Sequence, residues 1–294
     1  MSNHVERCVS TDAMSVAVPI SSEEIDNAVL DHDPGYKKGE TPASRAPALP
    51  VYQQTTTSVL VDSLPEFPRL WTRMILDAEH GAFAPPLIQE HDFGVLVDAG
   101  DLFTRWELTP GEETCVSLSR GRVLELGAGF ARVSHSLRKR SLEVIATDSD
   151  PDIVSMYRAR GWTDARELTL PDVPDDLGRF DTVIALRGVF PLIGELDRVL
   201  LGLERIRDVL NPGGRLIFTS SHVNTLLPMP GRSPLEYRYR LIYRGYRSPW
   251  LRATALPEWL AVPILKWLGF SDIQILEPST SEGAGYYAIA TLPV

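Results

Sequence analysis

The stretch Arg122-Val-Leu-Glu-Leu-Gly-Ala-Gly-Phe-Ala-Arg132 decides the fold. Val123, Leu124 and Leu126 make the short apolar run of a buried parallel strand. Gly127 and Gly129 break it. From Phe130 onward the residues read as a helix, with Val133 and Leu137 on one side and Arg138, Lys139 and Arg140 near its end. Strand, glycine turn and helix in that order let backbone approach a ligand closely. Two residues narrow the ligand. The third glycine of a dinucleotide fingerprint, which packs helix against strand, falls at position 132, where Arg132 stands. Glu125 lies inside the strand, where a carboxylate suits a cationic group and not a pyrophosphate.

The chain has 294 residues, enough for one large domain or one domain with an appendage. Apolar residues make up 44% and charged residues 23%, the balance of a soluble globular protein. A net charge of −10 gives no general attraction for nucleic acid and favours a small-molecule or protein substrate over DNA or RNA. Cys8 and Cys115 have neither metal-site nor disulfide-framework spacing, so a reducing, cytoplasmic setting and no metal are expected. Residues 1–18 lack a secretory pattern, and no apolar run reaches the ~18 residues of a membrane span. No membrane partner is expected, and a homodimer stays open.

Residues 1–48 are rich in Ser, Pro, Ala and acids. They offer too little apolar surface to offset their ordering entropy and read as a mobile tail with a short helix near 22–30. Residues 49–115 read as an N-terminal cap or lid. Helical spacing runs over 70–78 and stops at Gly81, short strand-like pieces follow at 91–98 and 102–108, and Pro110-Gly-Glu-Glu113 begins a helix. Residues 116–294 read as the core. Strands are expected at 122–126, 143–147, 162–168, 181–186, 215–220, 273–276 and 286–292, and helices at 131–140, 151–160 and 192–210. This alternation predicts an α/β, Rossmann-like sheet of seven strands, mixed because the last two form a hairpin, with helices on both faces. Asp150 suits the N-cap of the helix that Pro151 opens, and Asn211-Pro-Gly-Gly214 stops the long helix.

Glu125-Leu-Gly-Ala-Gly129 resembles the first motif of class I S-adenosylmethionine-dependent methyltransferases. The resemblance implies S-adenosyl-L-methionine as cofactor, with the glycine turn beside its methionine part. Asp148, at the end of the second strand, is placed to accept hydrogen bonds from ribose hydroxyls. The third strand's end, Glu167 and Leu168, would flank the adenine. Ala185, Leu186 and Arg187, at the carboxyl end of the Phe180-Asp-Thr-Val strand, would lie beside the cofactor. The implied cofactor set is Trp106, Glu125, Gly127, Ala128, Gly129, Arg132, Asp148, Ser149, Glu167, Leu168, Ala185, Leu186 and Arg187. Asp181 starts its strand at the opposite edge and reads as structural.

His222 follows the fifth strand, where a neutral imidazole can take a proton from the acceptor; a loop histidine capping backbone is the plainer reading. Trp106 offers an aromatic face to a sulfonium cation, or plain packing. Tyr52 and His91 are candidate acceptor contacts in the cap. In Tyr237-Arg-Tyr-Arg-Leu-Ile-Tyr-Arg-Gly-Tyr-Arg247, strand spacing puts Arg238, Arg240 and Arg244 on one face with Ile242, and Tyr237, Tyr239, Leu241 and Tyr243 on the other. The basic face would guide an acidic acceptor, or simply be half exposed. The resulting expectation is a methyltransferase acting on an O, N or C nucleophile of a small molecule, of the kind that tailors natural products. The alternatives are a methyltransferase-fold binding protein acting as a partner or regulatory subunit and a nucleotide-dependent oxidoreductase.

Overall fold

Alternating apolar runs and amphipathic stretches after residue 121 build the parallel part of a sheet, and a second, smaller sheet is assembled from both sides of that core. The computed structural model describes residues 70–81, 87–92, 96–98, 106–221, 235–278 and 285–294. The elements are α1 (Leu70–Glu79), β1 (Ile88–His91), β2 (Leu96–Asp98), α2 (Pro110–Leu118), β3 (Arg122–Glu125), α3 (Arg132–Lys139), β4 (Glu143–Asp148), α4 (Pro151–Ala159), β5 (Arg166–Glu167), β6 (Phe180–Ala185), α5 (Val189–Leu192), α6 (Leu196–Val209), β7 (Leu210–Ser220), β8 (Glu236–Tyr243), β9 (Tyr246–Arg247), β10 (Leu251–Thr254), α7 (Glu258–Trp267), β11 (Ser271–Leu276) and β12 (Tyr286–Thr291). The expected tail, and Tyr52 and His222, lie outside the described residues.

The large sheet has the order β11-β12-β7-β6-β3-β4-β5. β3 runs parallel to β4 and β6, and β12 inserts antiparallel between β7 and β11. This is the mixed seven-stranded sheet read from the sequence. The strand order reverses on either side of β3, and in open α/β sheets ligands sit outside the carboxyl ends of the strands at such a point. One face is filled by Cys115 and Val116 of α2 and Val133 and Leu137 of α3, packed on Val123, Val144, Ile184, Ile217 and Ile289. The alternate residues Leu124, Val183, Leu216 and Phe218 are buried too, with Phe190 of α5 edge-on to Phe218 at 5.0 Å.

Three expected elements differ. The third strand shrinks to two residues. Gly161 turns the chain at φ 87°, and Trp162 stacks on Tyr157 at 5.8 Å with the Arg138 guanidinium 4.7 Å over its ring, which holds it out of the sheet. The helix expected over 192–210 is two helices, because Gly194 takes φ 100° between α5 and α6. β7 begins at Leu210 and not Arg215. Asn211-Pro-Gly-Gly214 is a bulge in its pairing with β6, and a Cβ on Gly214 would meet the Asn211 carbonyl at 2.8 Å.

The second sheet has the order β10-β8-β1-β2, with β9 added to β8. This sheet is not built from residues 49–115 alone, since residues 236–254 supply three of its strands. Along β8 the expected alternation holds for Tyr239, Leu241 and Tyr243, which are buried, and for Arg238, which is exposed, but Arg244 lies past the strand's end in a turn at φ 50° and not on its basic face. The buried face packs with Met74 and Ile75 of α1 and with Ile153 and Tyr157 of α4.

Candidate active site

The glycine turn is held from three sides. Gly127 and Gly129 take φ of 60° and 56°, the left-handed region that glycine enters without a Cβ penalty. A Cβ on Gly127 would lie 2.8 Å from Val189 Cγ2. The Ala128 amide donates to the Thr147 carbonyl at 2.8 Å, and Tyr157 Oη donates to the Gly129 carbonyl at 2.7 Å. Arg160, anchored on Glu79, donates to the Phe130 carbonyl at 2.8 Å.

Asp148 ends β4 facing that turn. Its Oδ2 accepts the Gly129 amide and its Oδ1 the Asp150 amide, both at 3.0 Å. Burial pushes its carboxyl above the usual range, and the two amides pull it back. Asp150 is the N-cap of α4, accepting from the Asp152 amide at 2.9 Å, so Asp148 is not needed for that task. Beside it the Leu168 amide donates to the Asp148 carbonyl at 2.9 Å, and Glu167 and Ser149 are exposed.

Glu125 is 5% exposed and accepts the Ser134 hydroxyl. Burial is the main cause that raises its carboxyl to about 8. Arg132, read from sequence as the residue in place of a glycine and as one of the implied cofactor set, is buried and donates to Glu112 Oε1 at 2.6 Å. Arg187 reaches the same oxygen at 2.7 Å from the end of β6. Glu112 was not a candidate in the sequence. Its available signal was the capping box of α2: Thr109 accepts the Glu112 amide at 3.3 Å, and the Glu112 carboxylate accepts the Thr109 amide at 2.9 Å. A cavity of about 140 Å³ opens beside Arg187, Thr219, Ser220, Tyr286 and Tyr287, at the carboxyl ends of β6 and β7.

Residues 124–216, which carry the turn, Asp148 and Arg187, match the family model of a methyltransferase domain. That stretch, about a third of the chain, is similar to a methyltransferase domain. A ubiquinone biosynthesis O-methyltransferase of Xylella fastidiosa is 25% identical over 153 residues, covering 49% of this chain and 61% of that protein. The chain thus spans about three-fifths of that relative's length. Among solved structures, a SAM-dependent methyltransferase of Bacteroides fragilis, in complex with S-adenosyl-L-homocysteine, superposes with TM-score 0.64 at 21% identity over 76% of this chain and 94% of that one. An S-adenosylmethionine-dependent methyltransferase of Clostridium acetobutylicum follows at TM-score 0.50 and 13% identity, covering 62% and 89%. At these identities the likeness is one of fold.

In the large sheet, Glu125, Gly127, Ala128, Gly129, Asp148, Ser149, Glu167, Leu168, Ala185, Leu186 and Arg187 gather at the carboxyl ends of β3, β4, β5 and β6, and Arg132 opens α3 just after the turn. Trp106 stands apart. It packs on Phe130 and His135 at 4.6 and 4.9 Å, and the cation over its ring is Arg160, at 4.8 Å. Asp181 accepts the Arg122 amide and the Asn211 side-chain amide, both at 2.8 Å, at the far edge of the sheet. In the second sheet, His91 stacks on Tyr237 at 5.5 Å, and burial lowers its pKa. Arg238 is exposed opposite Arg252. Arg240 forks onto Glu90 at 2.6 and 3.0 Å under the Trp250 ring, so its charge is already matched within the sheet.

Proposed function

We propose that this chain transfers a methyl group from S-adenosyl-L-methionine to an oxygen, nitrogen or carbon nucleophile of a small molecule, in the tailoring of secondary metabolites. The observation that carries the reading is Asp148, a carboxylate tied to the Gly129 amide at the carboxyl edge of β4. The residues fit the cofactor. The turn has no Cβ to obstruct an approaching ligand at Gly127 or Gly129, Asp148 presents acceptors for ribose hydroxyls, and Leu168 supplies an apolar neighbour for adenine. Glu125 faces the ligand's cationic end, and a cation bound there would favour loss of the proton that burial holds on its carboxyl. The bound cofactor supplies an electrophilic methyl on a sulfonium. The chain's own residues align the two reactants and exclude water, so the cost of orientation is met before reaction. For an acceptor that must lose a proton, His222 is the proposed base. Tyr52, His91 and Arg238 are proposed acceptor contacts. The reaction named for the Xylella relative makes an oxygen nucleophile the first class to test.

Calorimetry of the full chain with S-adenosylhomocysteine and with NAD tests the cofactor. Binding of the first and not the second is expected; the reverse result overturns the reading. Label transfer from methyl-labelled S-adenosylmethionine to small molecules of a cell extract tests turnover, and His222→Ala is expected to slow it without changing cofactor affinity.

A further inference from the structure

Alternate residues of the turn after β3 hold left-handed backbone: Gly127, Gly129 and Ala131 take φ of 60°, 56° and 62°. Ala131 carries a Cβ, and as the N-cap of α3 it makes no side-chain hydrogen bond. Such a residue keeps a positive φ only where its surroundings over-determine it. The carbonyl just before it, that of Phe130, accepts Arg160 Nη1 at 2.8 Å. Arg160 follows the last residue of α4 and reaches the turn with its other nitrogens already placed. Its Nε donates to Glu79 Oε1 at 2.9 Å and its Nη2 to Glu79 Oε2. The guanidinium also lies 4.8 Å over the rings of both Trp106 and Phe130.

Glu79 is the last residue of α1, and α1 meets the same edge of the sheet at two further points. Thr72 Oγ1 donates to Asp150 Oδ2 at 2.5 Å, two residues beyond Asp148. A Cβ on Gly129 would lie 3.6 Å from Ile75 Cδ1. Thr72, Ile75 and Glu79 follow one another at steps of three and four residues, so one face of the helix carries all three contacts. The fork between Arg160 and Glu79 is charge-assisted and bidentate, the strong class of such pairs. The Arg160 hydrogen bond holds the Glu79 carboxyl below the usual range, so the pair is charged at neutral pH. Without Glu79 the guanidinium would regain its rotamer freedom, and the Phe130 carbonyl would lose a fixed donor. Resting on the methyl-transfer reading above, we infer that Arg160 is a positioning residue that fixes the glycine turn for the cofactor and that Glu79 sets its aim, so that α1 is a working part of the cofactor site. Both side chains act through the turn.

Calorimetry of the full chain with S-adenosylhomocysteine, well below the melting temperature, supplies the test. Arg160→Ala should weaken binding by about tenfold, the scale of one charge-assisted contact. Glu79→Gln should weaken it by about three- to tenfold, although Glu79 stands one residue removed from the turn. The double variant should bind no more weakly than Arg160→Ala alone, because Glu79 acts only through Arg160. Val199→Ala, a cavity in the buried face of α6, gives the comparison for stability alone. It should lower the melting temperature and leave affinity within about twofold, and a pair with a merely structural role would do the same. If Arg160→Ala does not fold, Arg160→Lys, which keeps the charge and loses the fork, takes its place with the same expected pattern. Wild-type affinity in both single variants, or additive losses in the double variant, overturns the inference. Failure of the wild-type chain to bind S-adenosylhomocysteine removes the reading beneath it, and the inference with it.

Discussion

Asp148 Oδ2 accepts the amide of Gly129 at 3.0 Å, so the acid at the end of one strand and the glycine turn after its neighbour form a single unit. In the proposed reading, that carboxylate accepts ribose hydroxyls while it stays bound to the turn. Asp148→Ala should weaken S-adenosylhomocysteine binding by ~1.5–3 kcal/mol for each charge-assisted hydrogen bond lost. Asp148→Asn, which keeps an acceptor for the Gly129 amide, should fall between the two. Isothermal calorimetry measures both, and unchanged affinity in both variants removes the ribose assignment.

The turn has a second support. Tyr157 Oη donates to the Gly129 carbonyl at 2.7 Å from the buried face of α4. Tyr157→Phe keeps the ring on Trp162 and leaves that carbonyl without its donor. A loss of ~1–3 kcal/mol in urea unfolding is expected, the desolvation cost of an unsatisfied buried group. A variant as stable as the wild type would show that the bond contributes nothing net.

The sequence made the carboxyl edge of the large sheet legible because its signals are local. Gly127, Gly129 and the acid at Asp148 each stand at the end of a strand, where period and turn chemistry are plain. Glu112 was not legible as the shared partner of two arginines. Its partners Arg132 and Arg187 lie 20 and 75 residues away, and the only local sign was a capping box, which any helix start can carry. Arg240 shows the same limit. Its face on β8 followed from alternation, but the acid that matches its charge is Glu90, 150 residues earlier. Trp162 belonged by composition to a strand, and its contacts with Tyr157 and Arg138 kept it out.

Glu125 predicts a pH dependence. Burial holds its carboxyl at about 8, against an ordinary value of 4.5. Between those values the folded chain keeps a proton that the unfolded chain has lost. Stability therefore falls as pH rises through that window, by up to about 1.4 kcal/mol per pH unit for one group, and is level above it. Asp148, also raised by burial, adds a loss of the same sign that begins nearer its ordinary 3.8. Glu125→Gln, uncharged at every pH, should flatten the fall between pH 6 and pH 8 in denaturant titrations. A slope equal to that of the wild type would assign the proton elsewhere.

Gly127 gives the sharpest test of the turn. Its φ of 60° alone makes any L side chain costly, by ~1–3 kcal/mol. A Cβ there would also lie 2.8 Å from Val189 Cγ2, on a short β-branched side chain that has no freedom to swing aside. Gly127→Ala should therefore lower the melting temperature and weaken S-adenosylhomocysteine binding together. Adding Val189→Ala removes the contact and leaves the backbone strain, so the double variant should recover part of the stability and little of the affinity. If the single variant binds as the wild type does, the turn is not the surface that the cofactor approaches.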